Sequence, residues 1–240
     1  MMEELVLRLK NLFFNYFLLL SVISFSFTKL DLQIAVGERN QNQVINIINS
    51  LDYKTLPVDF KCEVVLAYTD LFFWGKGDVD KYQEIAKKYV EELLESSPTY
   101  WKVNYAAAMV YGHYVQKNLF YAFIYYKKIF YHANLAVQYG PDEYLAHLLV
   151  GILNLETPFG NLSSAREHLL KALELNPNHV YTYVELGKYY EKIHDCQKAI
   201  EMYKKALEVE GEIVWKYINE EGKQVASERL LEVERKCTRK

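Results

Sequence analysis

An all-α solenoid of antiparallel helix hairpins, closed by a C-terminal capping helix, is the fold this sequence predicts, and three observations carry it. Apolar residues recur at helical spacing along nearly the whole chain. An Asn or Asp recurs ahead of those stretches, at Asn40, Asp78, Asn118, Asn161 and Asp195, at intervals of 38, 40, 43 and 34 residues. Glycine and proline are scarce, 10 and 5 in 240 residues, which leaves little of the chain for loops and linkers.

The N-terminus reads as a targeting segment. Arg8 and Lys10 precede an uncharged run from Asn11 to Thr28, and Ser24 and Ser26 bracket Phe25 in an A-x-A-like pattern. Residues 1–26 therefore read as a cleaved secretory signal, which places the folded part outside the cytoplasm, in the periplasm or cell envelope. The competing reading is an uncleaved membrane anchor, because the run is close to the roughly 18 residues needed to span a bilayer. Residues 27–56 then form degenerate N-terminal helices, 57–221 the repeats, and 222–240 the capping helix.

The clearest repeats lie in 141–210. In the last of them Tyr183, Leu186, Gly187 and Tyr190 are followed by Ala199, Tyr203 and Ala206, a rhythm of small and large residues on two helices that pack closely. Asp195 stands four residues before Ala199, where its carboxylate can accept from the first-turn amides of the second helix. The same arrangement precedes Ala165, Leu169 and Ala172 (from Asn161) and Ala122, Tyr126 and Ile129 (from Asn118). It also precedes Tyr82, Ala86 and Tyr89 (from Asp78) and Val44, Ile48 and Leu51 (from Asn40). First helices fit the gaps at 58–74, 100–115 and 141–155, and Pro98 and Pro177 act as helix stops. The tract from Leu119 to Tyr131 is strongly aromatic, yet Lys127 and Lys128 interrupt it too soon for a bilayer span. It reads as a wide helix wedged between two neighbours, or else as a face that touches a membrane interface.

This pattern resembles the tetratricopeptide repeat (TPR), a unit of about 34 residues. The resemblance implies a TPR-like α-solenoid that binds a protein or peptide. Residues 141–209 look most like bacterial TPR proteins of the cell envelope. The turn ETPFGN followed by LSSAREHLLKALELNPN resembles the T component associated with TRAP-type transporters. That likeness implies a periplasmic solenoid, able to form trimers, that works beside a transporter substrate-binding protein and holds an apolar ligand. The lipobox cysteine of lipoprotein members is missing here. The longer turn at 156–160 adds Phe159 as a candidate rim contact.

In the family, four positions of each first helix face the groove. Here they fall on Asn104, Ala107, Tyr111 and Tyr114, then Leu145, Leu148, Ile152 and Leu155, and finally Tyr181, Val184, Lys188 and Glu191. The resemblance thus implies an apolar, Tyr-rich groove, without the basic clamp that holds a peptide's terminal carboxylate. A helix as apolar as 141–155 is normally covered on both sides. The cover is either the chain's own end, around 222–240, or a partner, an apolar ligand or a second copy.

No catalytic constellation is legible. The six histidines form no HExxH and no Cys/His ligand spacing, and no Gly-rich phosphate loop occurs. The expectation is a non-enzyme with no metal and no cofactor. A net charge of −3 gives no footprint for nucleic acid. Three cysteines, Cys62, Cys196 and Cys237, rule out a full disulfide framework, and Cys196, just inside a helix, reads as a buried free thiol.

Overall fold

The computed structural model describes residues 27–158 and 160–237; the proposed signal segment and Phe159 lie outside these. The described helices come in successive pairs. They are α1 (Lys29–Gly37) and α2 (Gln41–Ser50), α3 (Val58–Trp74) and α4 (Asp80–Ser96), then α5 (Trp101–Lys117) and α6 (Phe120–Tyr139). After these come α7 (Tyr144–Glu156) and α8 (Leu162–Leu175), α9 (Val180–Lys192) and α10 (Cys196–Glu208), and a last helix, α11 (Lys216–Cys237). No strand occurs among the described residues. Each pair packs against the next, and successive first helices also touch one another, from α1 to α3, α5, α7 and α9. The architecture is a TPR-like all-α solenoid.

One packing rule generates the pairs. Each second helix from α4 onward buries a set of three residues spaced by four and three, to which α4 adds Tyr82 and Gln83. The sets are Ala86, Val90 and Leu93 in α4; Ile129, Ala133 and Ala136 in α6; Ala165, Leu169 and Ala172 in α8; and Ala199, Tyr203 and Ala206 in α10. That spacing keeps all three on one face. The partner helix answers with a small residue. A Cβ on Gly187 would lie 2.4 Å from the ring of Tyr203, and one on Gly151 would lie 2.7 Å from Leu169.

In α8 and α10 these are the residues the sequence pattern picks out. In α4 Tyr82 and Ala86 are buried as the pattern has them, with Val90 and Leu93 buried in place of Tyr89, and in α6 the packing begins two turns later than Ala122. The caps shift with it. Asn40, Asn161 and Asp195 each accept from first-turn amides of the helix they precede. By contrast, α4 starts at Asp80 with Val79 at its N-cap. Asn118 accepts from the amide of Phe120 but stands before the capping position of α6. Both helices are longer than the 13-residue α10, with 17 and 20 residues.

The cysteine expectation is corrected. Cys196 and Cys237 form a disulfide, with Cα atoms 6.3 Å apart, and only Cys62 is a free, buried thiol. The pairing arises because α11 runs back along α10, which returns Cys237 to the start of that helix.

The last helix does more than cap the stack. It begins at Lys216 rather than Gly222, after a turn in which Gly211 takes a left-handed φ of 84° and Asn219 donates to the carbonyl of Glu212. The short 3-10 turn Ile213–Trp215 packs on α1, where Gly37 leaves so little room that a Cβ would lie 2.3 Å from the Val214 carbonyl oxygen. Arg39 pairs with Glu221 at 2.7 Å and lies over the Tyr217 ring, while Lys216 reaches Glu38 at 3.4 Å. The start of the last helix therefore meets the first hairpin.

Candidate functional site

The first helices build one continuous inner strip. At its N-terminal end the strip is ionic. Lys29 of α1 pairs with Asp59 of α3, and Lys102 of α5 bridges Asp59 at 2.6 Å and Glu63 at 2.9 Å. Burial works against these charges, yet Glu63 and Asp59 carry the Lys102 pKa upward, and Lys102 and Lys29 hold Asp59 below the usual carboxylate range. In the middle the strip is apolar, with Tyr105 and Met109 of α5 packed among Leu66 of α3 and Leu145 and Leu149 of α7. At the far end Lys188 of α9 bonds Glu185 at 2.7 Å and approaches Glu156 of α7 at 3.8 Å. Glu185 is almost fully buried, and burial raises its pKa despite Lys188.

The chain's own C-terminal segment lies across this strip. A Cβ on Gly222 would lie 3.1 Å from Val180 and 3.3 Å from Tyr181. The Trp215 indole donates to the Tyr144 hydroxyl at 3.0 Å. His179 stands between them, its ring centroid 5.3 Å from Tyr144 and 5.9 Å from Trp215. The junction with the first hairpin borders an open pocket of about 700 Å³, lined by Arg39, Gln41, Trp74, Lys76 and Tyr217 among others.

The residues proposed for the groove divide into two groups. Leu145, Ile152, Tyr181 and Lys188 are half-buried along or beside the strip, and Leu148, Leu155 and Val184 are buried in the core that joins α7 to α9. The four from α5 are used elsewhere. Asn104 donates to the carbonyls of Pro98 and Tyr100 and bonds His132 of α6. Ala107 is fully buried, Tyr111 stacks on Tyr125, and Tyr114 donates to Glu84 of α4. Their side chains fill the space between α4 and α6, so the α5 register is corrected to Lys102, Tyr105 and Met109. Anchoring on Ala122 misplaced it, because the packing face of α6 starts at Ile129. The expectation of few charges also fails at the N-terminal end. Lys102, Asp59 and Glu63 are not among the residues that the resemblance picks out, and their contact across helices reveals them.

Burial around His179 makes acid stability a test of the junction. Its pKa is pushed down to about 4, from 6.5. The unfolded chain takes that proton first, so stability falls as pH drops from about 6.5 to about 4, by on the order of 3 kcal/mol. His113, His132 and His168 are also held low by burial and share this sign. Asp70 opposes it. Burial raises its pKa to about 7 despite Arg39, so its contribution is present at low pH and lost as pH rises through 7. Urea midpoints at pH 7.5 and 4.5 should show a fall for the wild type, a smaller fall for His179→Gln and a larger one for Asp70→Asn. An unchanged fall in His179→Gln would remove His179 from the explanation.

The comparisons agree with this architecture. Residues 180–212, covering α9 and α10, match the tetratricopeptide repeat family. The whole fold is similar to that of a thermophilic TPR protein from Thermus thermophilus, with a TM-score of 0.63 and 14% identity over 85% of this chain and 100% of that one. Two MamA structures, one from MSR-1 and one a point mutant, align at a TM-score of 0.43 with 19% and 20% identity. They cover 75% and 74% of this chain and 94% and 93% of theirs. No curated protein matches the chain. Among the described residues no group of three or more His, Cys, Asp or Glu is placed to hold a metal ion. The chain carries a tetratricopeptide repeat within a TPR-like solenoid, a fold that serves in general as a non-catalytic protein-interaction module.

Proposed function

We propose that this protein is an exported interaction scaffold of the cell envelope that holds a segment of a partner protein on its inner strip, beside Leu145, Ile152, Tyr181 and Lys188. The observation that carries this reading is the docking of the chain's own 213–222 segment on the same strip, through an indole, a glycine on a helix and flanking ion pairs. A surface that takes up one amphipathic segment in cis has the chemistry to take another in trans. The Cys196–Cys237 disulfide supports export, since such bonds persist in oxidising compartments.

The test uses envelope extract and three proteins: wild type, a Leu145→Glu/Tyr181→Glu variant on the strip, and Lys171→Glu on the outer helix α8. A partner recovered by the wild type and Lys171→Glu, and lost by the strip variant, is the expected result. Recovery of the same proteins by all three would remove the strip from binding. Alkylation in intact cells should leave Cys196 and Cys237 unmodified without reductant; free thiols at both would place the protein in a reducing compartment.

A further inference from the structure

We propose that the tip of the third hairpin is a membrane-interface contact that seats the solenoid on an anionic lipid surface. The tip is an overhang. Helix α6 has 20 residues against 13 in α10, and its buried residues are Ile129, Ala133 and Ala136; in its first two turns Tyr121 and Tyr125 lean on Tyr114 and Tyr111 of α5 while the opposite face projects. That overhang is not wedged between neighbours, as the aromatic tract alone suggests. It exposes Leu119, Phe120, Phe123 and Ile124, at 77%, 65%, 86% and 51%. Phe73, at the matching end of α3 and in ring contact with His113 of α5, adds another exposed aromatic on the same rim.

Charge decides what covers this patch. The chain as a whole carries 31 acidic and 28 basic residues, yet residues 116–141 contain no Asp or Glu and three lysines. Lys127 and Lys128, one turn behind Phe123 and Ile124, are exposed and make no ion pair among the described residues; Lys128 lies over the rings of Tyr111 and Tyr125. Asp80 and Glu84, which reach this hairpin from α4, are engaged by Lys117 and the Tyr114 hydroxyl. Tyr131, another turn along the exposed face, is 61% exposed. An apolar tip with lysines and a tyrosine ring behind it is the layering of a peptide that lies in the headgroup region. No described helix is long and apolar enough to cross a membrane.

A second copy of the chain fits less well. In a two-fold contact this patch meets an identical patch, and residues 116–141 offer no acid to pair Lys127 and Lys128.

The experiment labels the full chain with an environment-sensitive nitrobenzoxadiazole probe at Phe123→Cys and, as a control on the same helix, at Gln138→Cys. Cys62 is buried and the other cysteines are paired, so the probe reports one site. Each protein is mixed with vesicles of phosphatidylcholine alone or of phosphatidylcholine and phosphatidylglycerol at 3:1. The expected result is a several-fold rise and blue shift at position 123 on the anionic vesicles only, with no change at 138. Adding Lys127→Glu/Lys128→Glu should abolish the rise while the helical circular dichroism stays the same. Any of four results would overturn the proposal: no response at 123, equal responses at 123 and 138, a rise that survives the charge reversal, or a rise that depends on protein concentration without vesicles. The last would assign the patch to self-association.

Discussion

Tyr203→Ala should cost about 3–5 kcal/mol, the range for removing a buried aromatic side chain. Tyr203 is among the largest fully buried side chains. Its ring fills the space that Gly187 leaves open, and its hydroxyl donates to Glu191 of α9. The fit cannot slide, since Ala199 and Ala206 pin the same face one turn away on either side. Leu207→Ala, on the exposed side of α10, should cost far less. Gly187→Leu alone should also destabilise, by about 1–3 kcal/mol of overpacking. Combined with Tyr203→Ala it should recover part of the loss, because the new side chain enters the vacated space. Urea midpoints of the four proteins measure this coupling. Strict additivity would show that the large and small residues do not meet.

Loss of the Cys196–Cys237 bond is the second large effect. The bond joins residues 41 apart, and the loop-entropy relation gives about 4 kcal/mol for that length, with about 2–4 kcal/mol typical. Cys237→Ser, or reduction of the wild type, should lower stability by that amount. The loss should concentrate in α10 and α11, because repeats in a solenoid touch only their neighbours. Amide exchange should therefore rise in 216–237 while Ala86, Val90 and Leu93 of α4 stay protected. An unchanged urea midpoint, or exchange rising equally along the chain, would contradict this.

How much of the fold was legible in the sequence depended on how one-sided each helix is. In α8 and α10 polar residues surround a single apolar stripe, so Ala165, Leu169, Ala172 and Ala199, Tyr203, Ala206 could be identified and the caps at Asn161 and Asp195 followed. Helix α6 is apolar and aromatic on nearly every side, which leaves the phase undetermined, and Ala122 was as good an anchor as Ile129. That one ambiguity carried Asn104, Ala107, Tyr111 and Tyr114 into a groove from which packing excludes them. The cap before α4 was displaced because Asp78 belongs to the turn that Gly77 makes at a φ of 84°. The disulfide and the ionic end of the inner strip were not legible at all. Cys196 with Cys237, and Lys102 with Asp59 and Glu63, are brought together by helix pairing, and no local spacing encodes that.

The idea on which the site rests is that the last helix turns back across the inner strip and meets the first hairpin. Carbodiimide, which joins an amine to a carboxylate only where the two already touch, tests it most directly. Lys216 and Glu38 are 178 positions apart in the chain and 3.4 Å apart in the fold. A peptide pair linked through Lys216 and Glu38, recovered from monomeric protein and lost in Lys216→Gln, is the predicted result. Its absence from the monomer, under conditions that link Lys102 to Glu63, would mean that the last helix and the first hairpin stand apart and the strip is open.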